Sequence, residues 1–201
     1  GPIVGTANRN NNVIILEYDN EGYMNTGNQL SYSTPLGHAT STSHVGPAQV
    51  GKQFQHKDTV QIMAGTHIPY LFTGTEAQPQ DLIKKAAKAQ WYAKNYGTVY
   101  GKILAACPLN WKSDARQGRN VVEAAVLCNF FPLYEIEQGI TSLTYDPEEK
   151  GKKVELEDWL KMMGKTKHLL KPENKEIVES ARKEIERRFK RIKAMSEHPD
   201  L

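Results

Sequence analysis

Cysteine is nearly absent from this sequence: the 201 residues hold two, Cys107 and Cys128, far apart in the chain. That argues against a disulfide framework and favours a reducing compartment, so a cytoplasmic location is expected. Long apolar runs are missing too. Runs such as Val13-Ile14-Ile15-Leu16 and the stretch 121–127 are far short of the roughly 20 residues of a membrane-spanning helix, and no membrane association is expected. Nor is there a dense basic tract. The net charge is only +3; residues 151–201 carry 14 Lys/Arg against 10 Asp/Glu, while residues 1–150 carry 12 against 13. A nucleic-acid footprint is denser and less interleaved with acids, so no nucleic-acid partner is expected. No phosphate-loop, dinucleotide or GxSxG signature occurs, and no two histidines have the zinc-helix spacing; His38, His44, His56 and His67 read as capping, packing or loop residues. What remains is an ordinary globular composition, 39% hydrophobic and 24% charged.

The patterning that is present alternates between strands and helices. Residues 12–18 read as a fully buried strand, which needs neighbours on both sides. Only eleven residues precede it, so the expectation is that the natural polypeptide begins earlier or that another chain supplies those neighbours. A helix is expected over 58–67 with Asp58 as its N-cap, a strand over 70–75, a helix over 80–92, a strand over 99–106, a helix over 120–128 and a strand over 132–136. This alternation argues for an α/β fold, a mostly parallel sheet with helices on both faces. Residues 1–145 form that domain, and 146–201 form a charged loop and a helical tail. The tail helix opens at Pro172 and runs to about Glu197. Its apolar stripe, Ile177, Ala181, Ile185, Phe189 and Ile192, must pack on something, which predicts a chain that does not function as a monomer. Glu179/Lys183, Glu184/Arg188 and Glu186/Lys190 have the spacing of i,i+4 ion pairs.

Two segments could carry chemistry. The loop 19–29 follows the first strand and is rich in Asn, Thr and Gly. It stands at the carboxyl end of a strand, where open α/β sheets bind ligands. Asn20, Asn25, Thr26, Asn28 and Gln29 offer neutral oxygens and amides, and Gly22 and Gly27 permit close backbone approach. Such a loop either cradles a phosphate or Mg2+ or is a turn satisfying its own geometry. Residues 30–51, full of Ser, Thr and Gly, read as a long ordered loop. Cys107, before Pro108, is either a small buried hydrophobe or a thiolate ligand of an iron–sulfur centre whose other ligands come from elsewhere. Cys128 reads as core.

The run Tyr18-Asp19-Asn20-Glu21-Gly22-Tyr23-Met24-Asn25-Thr26-Gly27-Asn28-Gln29, followed by Ser33-Thr34-Pro35, resembles the thiamine-diphosphate loop of the beta subunit of 2-oxoacid:ferredoxin oxidoreductases, with the pyruvate branch (pyruvate synthase) as the best fit. Gly65 to Phe72, Asp81 to Lys85, Ile103 to Pro108 with Trp111, Phe131 to Glu135, Trp159 to Lys161 and Lys167 to Leu169 extend the resemblance from about residue 6 onward. It implies the thiamine-diphosphate-binding fold, second half, and the oxidative decarboxylation of a 2-oxoacid, with coenzyme A accepting the acyl group and ferredoxin the electrons. Asn20 and the Gly22 carbonyl are implied as Mg2+ ligands. Asn20, Gly22, Tyr23, Asn25, Thr26 and Gly27 are implied as the cofactor-binding set, with Asn25 catalytic. Cys107 is implied as one ligand of a 4Fe–4S cluster. The family's Gly-Asp-Gly segment and its other three cluster cysteines have no counterpart in these 201 residues. The expectation is therefore a carboxyl-terminal part of a beta subunit, completed by its amino-terminal part and by alpha, gamma and delta subunits. A partner subunit would also supply the glutamate that activates the cofactor. A clusterless thiamine-diphosphate decarboxylase, with Cys107 a plain core residue, and a non-catalytic assembly piece are the alternatives.

Overall fold

The computed structural model describes residues 1–199. In chain order the elements are α1 (Pro2–Asn8), β1 (Ile14–Asp19), β2 (Val45–Gly46), β3 (Gln49–Val50), α2 (Thr59–Ala64), β4 (Tyr70–Thr75), α3 (Pro79–Asn95), β5 (Val99–Leu104), α4 (Pro108–Trp111), α5 (Gly118–Leu127), β6 (Leu133–Glu137), β7 (Ile140–Tyr145), α6 (Leu156–Lys161) and α7 (Lys175–Glu197). A 3-10 segment, Gly164–Leu170, links α6 to the turn Pro172–Asn174 that opens α7. The main sheet has the order β1-β5-β4-β6-β7. β1, β5 and β4 run parallel, β6 runs against β4, and β7 runs against β6, so four of the five strands share one direction.

Strand alternation explains why both faces are covered. Tyr70 and Phe72 of β4 and Val99 of β5 meet Ala89, Tyr92 and Ala93 of α3 on one face. Leu71 of β4, Tyr100 of β5 and Tyr134 of β6 meet Ala7, Val60, Met63 and Ile192 on the other. A third cluster joins Leu104 and Leu133 to Trp111, Val121, Ala125, Trp159 and Ile185. Asp58 caps α2 as expected, accepting from the Gln61 amide at 3.2 Å.

Several expectations need correcting. Among the described residues β1 stands at the edge of the sheet and pairs with β5 alone. Its burial alternates: Leu16 is 59% and Tyr18 69% exposed, while Asp19 is buried. Among the described residues the apolar run 13–16 therefore has a strand neighbour on one side and leaves Leu16 uncovered. The hairpin β6–β7 was not foreseen; its two-residue turn, Gln138-Gly139, has positive φ at both positions, the geometry that fits the strand twist. The stripe of the tail helix is not left open for another molecule. Ile185, Phe189 and Ile192 are buried against this chain's own core. The charges of that helix also pair differently: Arg188 reaches Asp58 at 2.7 Å and Glu184 pairs with Arg187 at 2.7 Å.

Candidate cofactor and cluster site

Parallel pairing of β1 with β5 sets Asp19 opposite Leu104. The segments that leave these strands at their carboxyl ends, 20–30 and 105–111, are therefore neighbours. The Ala105 amide donates to the Asp19 carbonyl at 2.9 Å and ties them at the start. The first of the two segments then folds on its own side chains. The Glu21 amide donates to Asp19 Oδ1 at 2.8 Å and the Gly22 amide to Asn20 Oδ1 at 3.3 Å, two overlapping turns of the kind Asp and Asn favour. Tyr23 and Gln29 exchange two backbone hydrogen bonds of 2.9 Å and pinch off the tip, residues 24–28.

The Ser/Thr-rich stretch 30–51 braces that tip. Ser41 Oγ donates to the Gly27 carbonyl at 2.6 Å, Thr42 Oγ1 accepts from the Leu30 amide at 2.9 Å, and Thr34 Oγ1 donates to the Glu21 carbonyl at 2.6 Å. Its own course is set by close backbone approach: a Cβ on Gly51, at φ +67°, would lie 2.2 Å from the Gly37 carbonyl oxygen. Buried Lys52 donates to the Ser31, Tyr32 and Thr34 carbonyls, and burial pushes its ammonium down to about 8.

The structure brings some of the expected site residues together and leaves others apart. Asn20 is half-buried, and its carbonyl accepts from Asn110 Nδ2 at 2.7 Å and Trp111 Nε1 at 3.1 Å. Gly22 lies against the same Asn110, whose Nδ2 would be 2.8 Å from a Cβ at that position. Cys107 is half-buried and stands immediately before α4, the turn that carries Asn110 and Trp111. The Mg2+ candidates Asn20 and Gly22 thus share one clamp with the cysteine segment. Tyr23, Asn25, Thr26 and Gly27 are exposed along the loop. Thr26 Oγ1 donates to Gln29 Oε1 at 2.8 Å.

Both implied groups fit these residues only in part. Asn20 Oδ1 and the Gly22 carbonyl are neutral oxygens of the kind Mg2+ takes together with phosphate. Asn20 Oδ1 is engaged by one long bond. Among the described residues, no cluster of three or more His, Cys, Asp or Glu could hold a metal. A 4Fe–4S cluster with Cys107 at one corner would need three further ligands from outside these residues. Cys128, the cap of α5, is buried with Sγ 3.5 Å from the Ala125 carbonyl oxygen, and burial pushes its thiol up to about 12.

Behind the loop lies a charged cluster that sequence reasoning missed. The Lys165 ammonium is paired with the Glu21 carboxylate, and His38 Nδ1 lies 3.6 Å from the same carboxylate oxygen; all three side chains are 1–2% exposed. Burial alone would raise the Glu21 carboxyl, but Lys165, helped by His38, outweighs it and holds the group at about 2. Burial pushes His38 down to about 4. The Lys165 ammonium also sits 5.3 Å over the Trp111 ring. These partners come from positions 21, 38, 111 and 165. No periodicity links them; Glu21 and Trp111 lie in segments that the sequence marks, and nothing in it pairs them with His38 or Lys165.

No family model matches this sequence. Among curated proteins, pyruvate synthase subunit PorB of Pyrococcus horikoshii is 35% identical, with 92% of this chain and 59% of that protein covered. PorB of Thermotoga maritima is 34% identical over 96% of this chain and 58% of its own length. Ketoisovalerate oxidoreductase subunit VorB of Pyrococcus horikoshii is 32% identical, at 96% and 60% coverage. Among solved structures, 2-oxoglutarate:ferredoxin oxidoreductase from Magnetococcus marinus, with 2-oxoglutarate, coenzyme A and succinyl-CoA bound, aligns with 54% of this chain and 34% of its own. Its TM-score is 0.46 and its identity 19%, a likeness too partial to argue from. The chain spans about three-fifths of the length of the curated relatives it matches. Along nearly all of its own length, it is a relative of the PorB and VorB subunits of pyruvate synthase and ketoisovalerate oxidoreductase.

Proposed function

We propose that this chain is part of the thiamine-diphosphate-binding subunit of a 2-oxoacid:ferredoxin oxidoreductase, acting on pyruvate with coenzyme A and ferredoxin. The observation that carries the reading is the clamp of Asn110 and Trp111 on the Asn20 carbonyl. It joins a loop suited to Mg2+ and diphosphate to a segment bearing a half-buried cysteine. The names of the relatives support the same reading, and those named pyruvate synthase favour pyruvate over a branched-chain 2-oxoacid.

In this reading Asn20 Oδ1 and the Gly22 carbonyl hold Mg2+, while Tyr23, Asn25, Thr26 and Gly27 line the diphosphate. Thiamine diphosphate, when bound, supplies the electron sink for loss of carbon dioxide from the 2-oxoacid. Asn25, exposed on the loop, would offer its amide to the substrate, where a neutral donor can hold a substrate oxygen in place without adding charge. Cys107 holds one corner of a 4Fe–4S cluster. The remaining ligands, and the group that activates the cofactor, come from other polypeptide: the rest of this subunit and its alpha, gamma and delta partners.

The test is to purify the chain together with its native partners and measure pyruvate- and coenzyme A-dependent reduction of ferredoxin, with iron and thiamine diphosphate determined in the same sample. Ferredoxin reduction with pyruvate, in a complex holding both groups, is the expected result. Decarboxylation by an iron-free complex would make the clusterless decarboxylase the correct reading. A complex with neither group would leave this chain as an assembly piece.

A further inference from the structure

Lys165 belongs to the tail, in the 3-10 segment Gly164–Leu170, yet its ammonium ends inside the loop 144 positions earlier in the sequence. The segment is wedged in place. The Gly164 amide donates to the Lys112 carbonyl at 3.1 Å, just past α4, and a Cβ on Gly164 would meet Lys112 Cβ at 2.7 Å. Thr166 Oγ1 donates to the Leu160 carbonyl at 2.6 Å, and the Ala39 amide donates to Lys165's own carbonyl at 3.3 Å. The side chain then passes the Trp111 ring at 5.3 Å and reaches Glu21.

Glu21 is the residue between the two oxygens assigned to Mg2+, and it holds a left-handed backbone at φ +66°. A residue with a Cβ adopts that conformation at a steric cost, and it persists where the surroundings over-determine it. The ties here are its amide on Asp19, its carbonyl under Thr34, and its carboxylate on Lys165. An ion pair this deep gives up hydration on both partners, and an apolar pair of the same volume would be about as stable. Stability alone is therefore a weak reason for it.

Resting on the functional reading above, we propose that Lys165 is a positioning residue of the cofactor site. The Lys165–Glu21 pair fixes the backbone of residues 20–22, so that Asn20 Oδ1 and the Gly22 carbonyl are already in place when the Mg2+–diphosphate arrives. The tail is then part of the cofactor site, although it touches neither group.

The experiment uses the complete complex, freed of Mg2+ and thiamine diphosphate and titrated with both by calorimetry. Lys165→Met and Glu21→Gln should each weaken binding at least tenfold with iron content unchanged. The double variant buries no unpaired charge, so its melting temperature should return towards wild type while its binding stays as weak as that of the single variants. Lys165→Arg should recover part of the affinity. If the single variants fail to fold, the double variant alone carries the test. A double variant that binds like wild type overturns the proposal and makes the pair a packing feature. A wild-type complex that binds no thiamine diphosphate overturns the functional reading, and this proposal with it.

Discussion

Asn25 carries its amide on the exposed part of the loop, so no packing in the folded chain depends on it. Asn25→Ala should leave the melting temperature unchanged and nearly abolish turnover of the assembled complex. Retention of more than about a tenth of wild-type activity, a loss under about 1.4 kcal/mol, would remove Asn25 from the catalytic set. The two cysteines offer a second test at this scale. Cys107 is half-buried beside the clamp and Cys128 lies in the core cluster with Val122 and Ala125. Cys107→Ser should lower bound iron and the reduced-cluster EPR signal of the complex. Cys128→Ala should leave both intact and lower stability by about 1–2 kcal/mol, the range for a small cavity. An unchanged cluster in Cys107→Ser would return Cys107 to the role of a plain packing residue.

Among the elements, α7 shows how an amphipathic pattern fixes a helix without saying what it covers. The stripe is plain in the sequence, and the helix forms over Lys175–Glu197. Its partner is this chain: Phe189 is buried, and Ile192 joins Leu71 and Tyr100 on one face of the sheet. Phe189→Ala should therefore destabilise the chain itself by about 3–4 kcal/mol, read as a shift of the denaturation midpoint at low protein concentration. A shift that appears only in the presence of partner subunits would mean that this face belongs to an interface. Other elements were legible to differing degrees. α3, α5, β4 and β5 stand within a few residues of the positions their periodicity indicates, because each has one strong apolar face. β1 is legible as a strand from its four apolar residues in a row, and among the described residues it pairs with β5 on one side and leaves Leu16 exposed. β7 escaped because Ile140–Tyr145 is half exposed and its alternation is diluted by Thr and Ser.

At the scale of the whole molecule the departure from pattern lies in buried charge. Lys52, Lys85, Lys102 and Lys165 are all buried, each with carbonyl or carboxylate partners. Buried His38 makes this measurable. Its ordinary value is 6.5, and burial lowers it to about 4 in the folded chain. Between those values the unfolded chain binds the proton more tightly, so stability is full above pH 6.5 and falls as the pH drops towards 4. The loss approaches about 3 kcal/mol, at about 1.4 kcal/mol for each unit of difference. His56, also driven down by burial, acts in the same direction. Denaturation midpoints measured from pH 8 to pH 4 should show the decline, and His38→Gln should flatten it. A His38→Gln profile as steep as wild type would mean that other groups carry the pH dependence.

The sequence by itself determined the α/β alternation, the amphipathic tail helix, the loop of Asn, Thr and Gly after β1, and the cysteine after β5. Each is a local matter, set by periodicity, turn chemistry or a run of residues that resembles a known family. The tertiary structure decided which of these segments meet. Parallel pairing of β1 with β5 placed Asn20 beside Asn110, 90 positions away, and the return of the tail placed Lys165 against Glu21. The physical reason is that a buried polar group takes whichever partner the fold delivers, and that partner has no fixed offset along the chain.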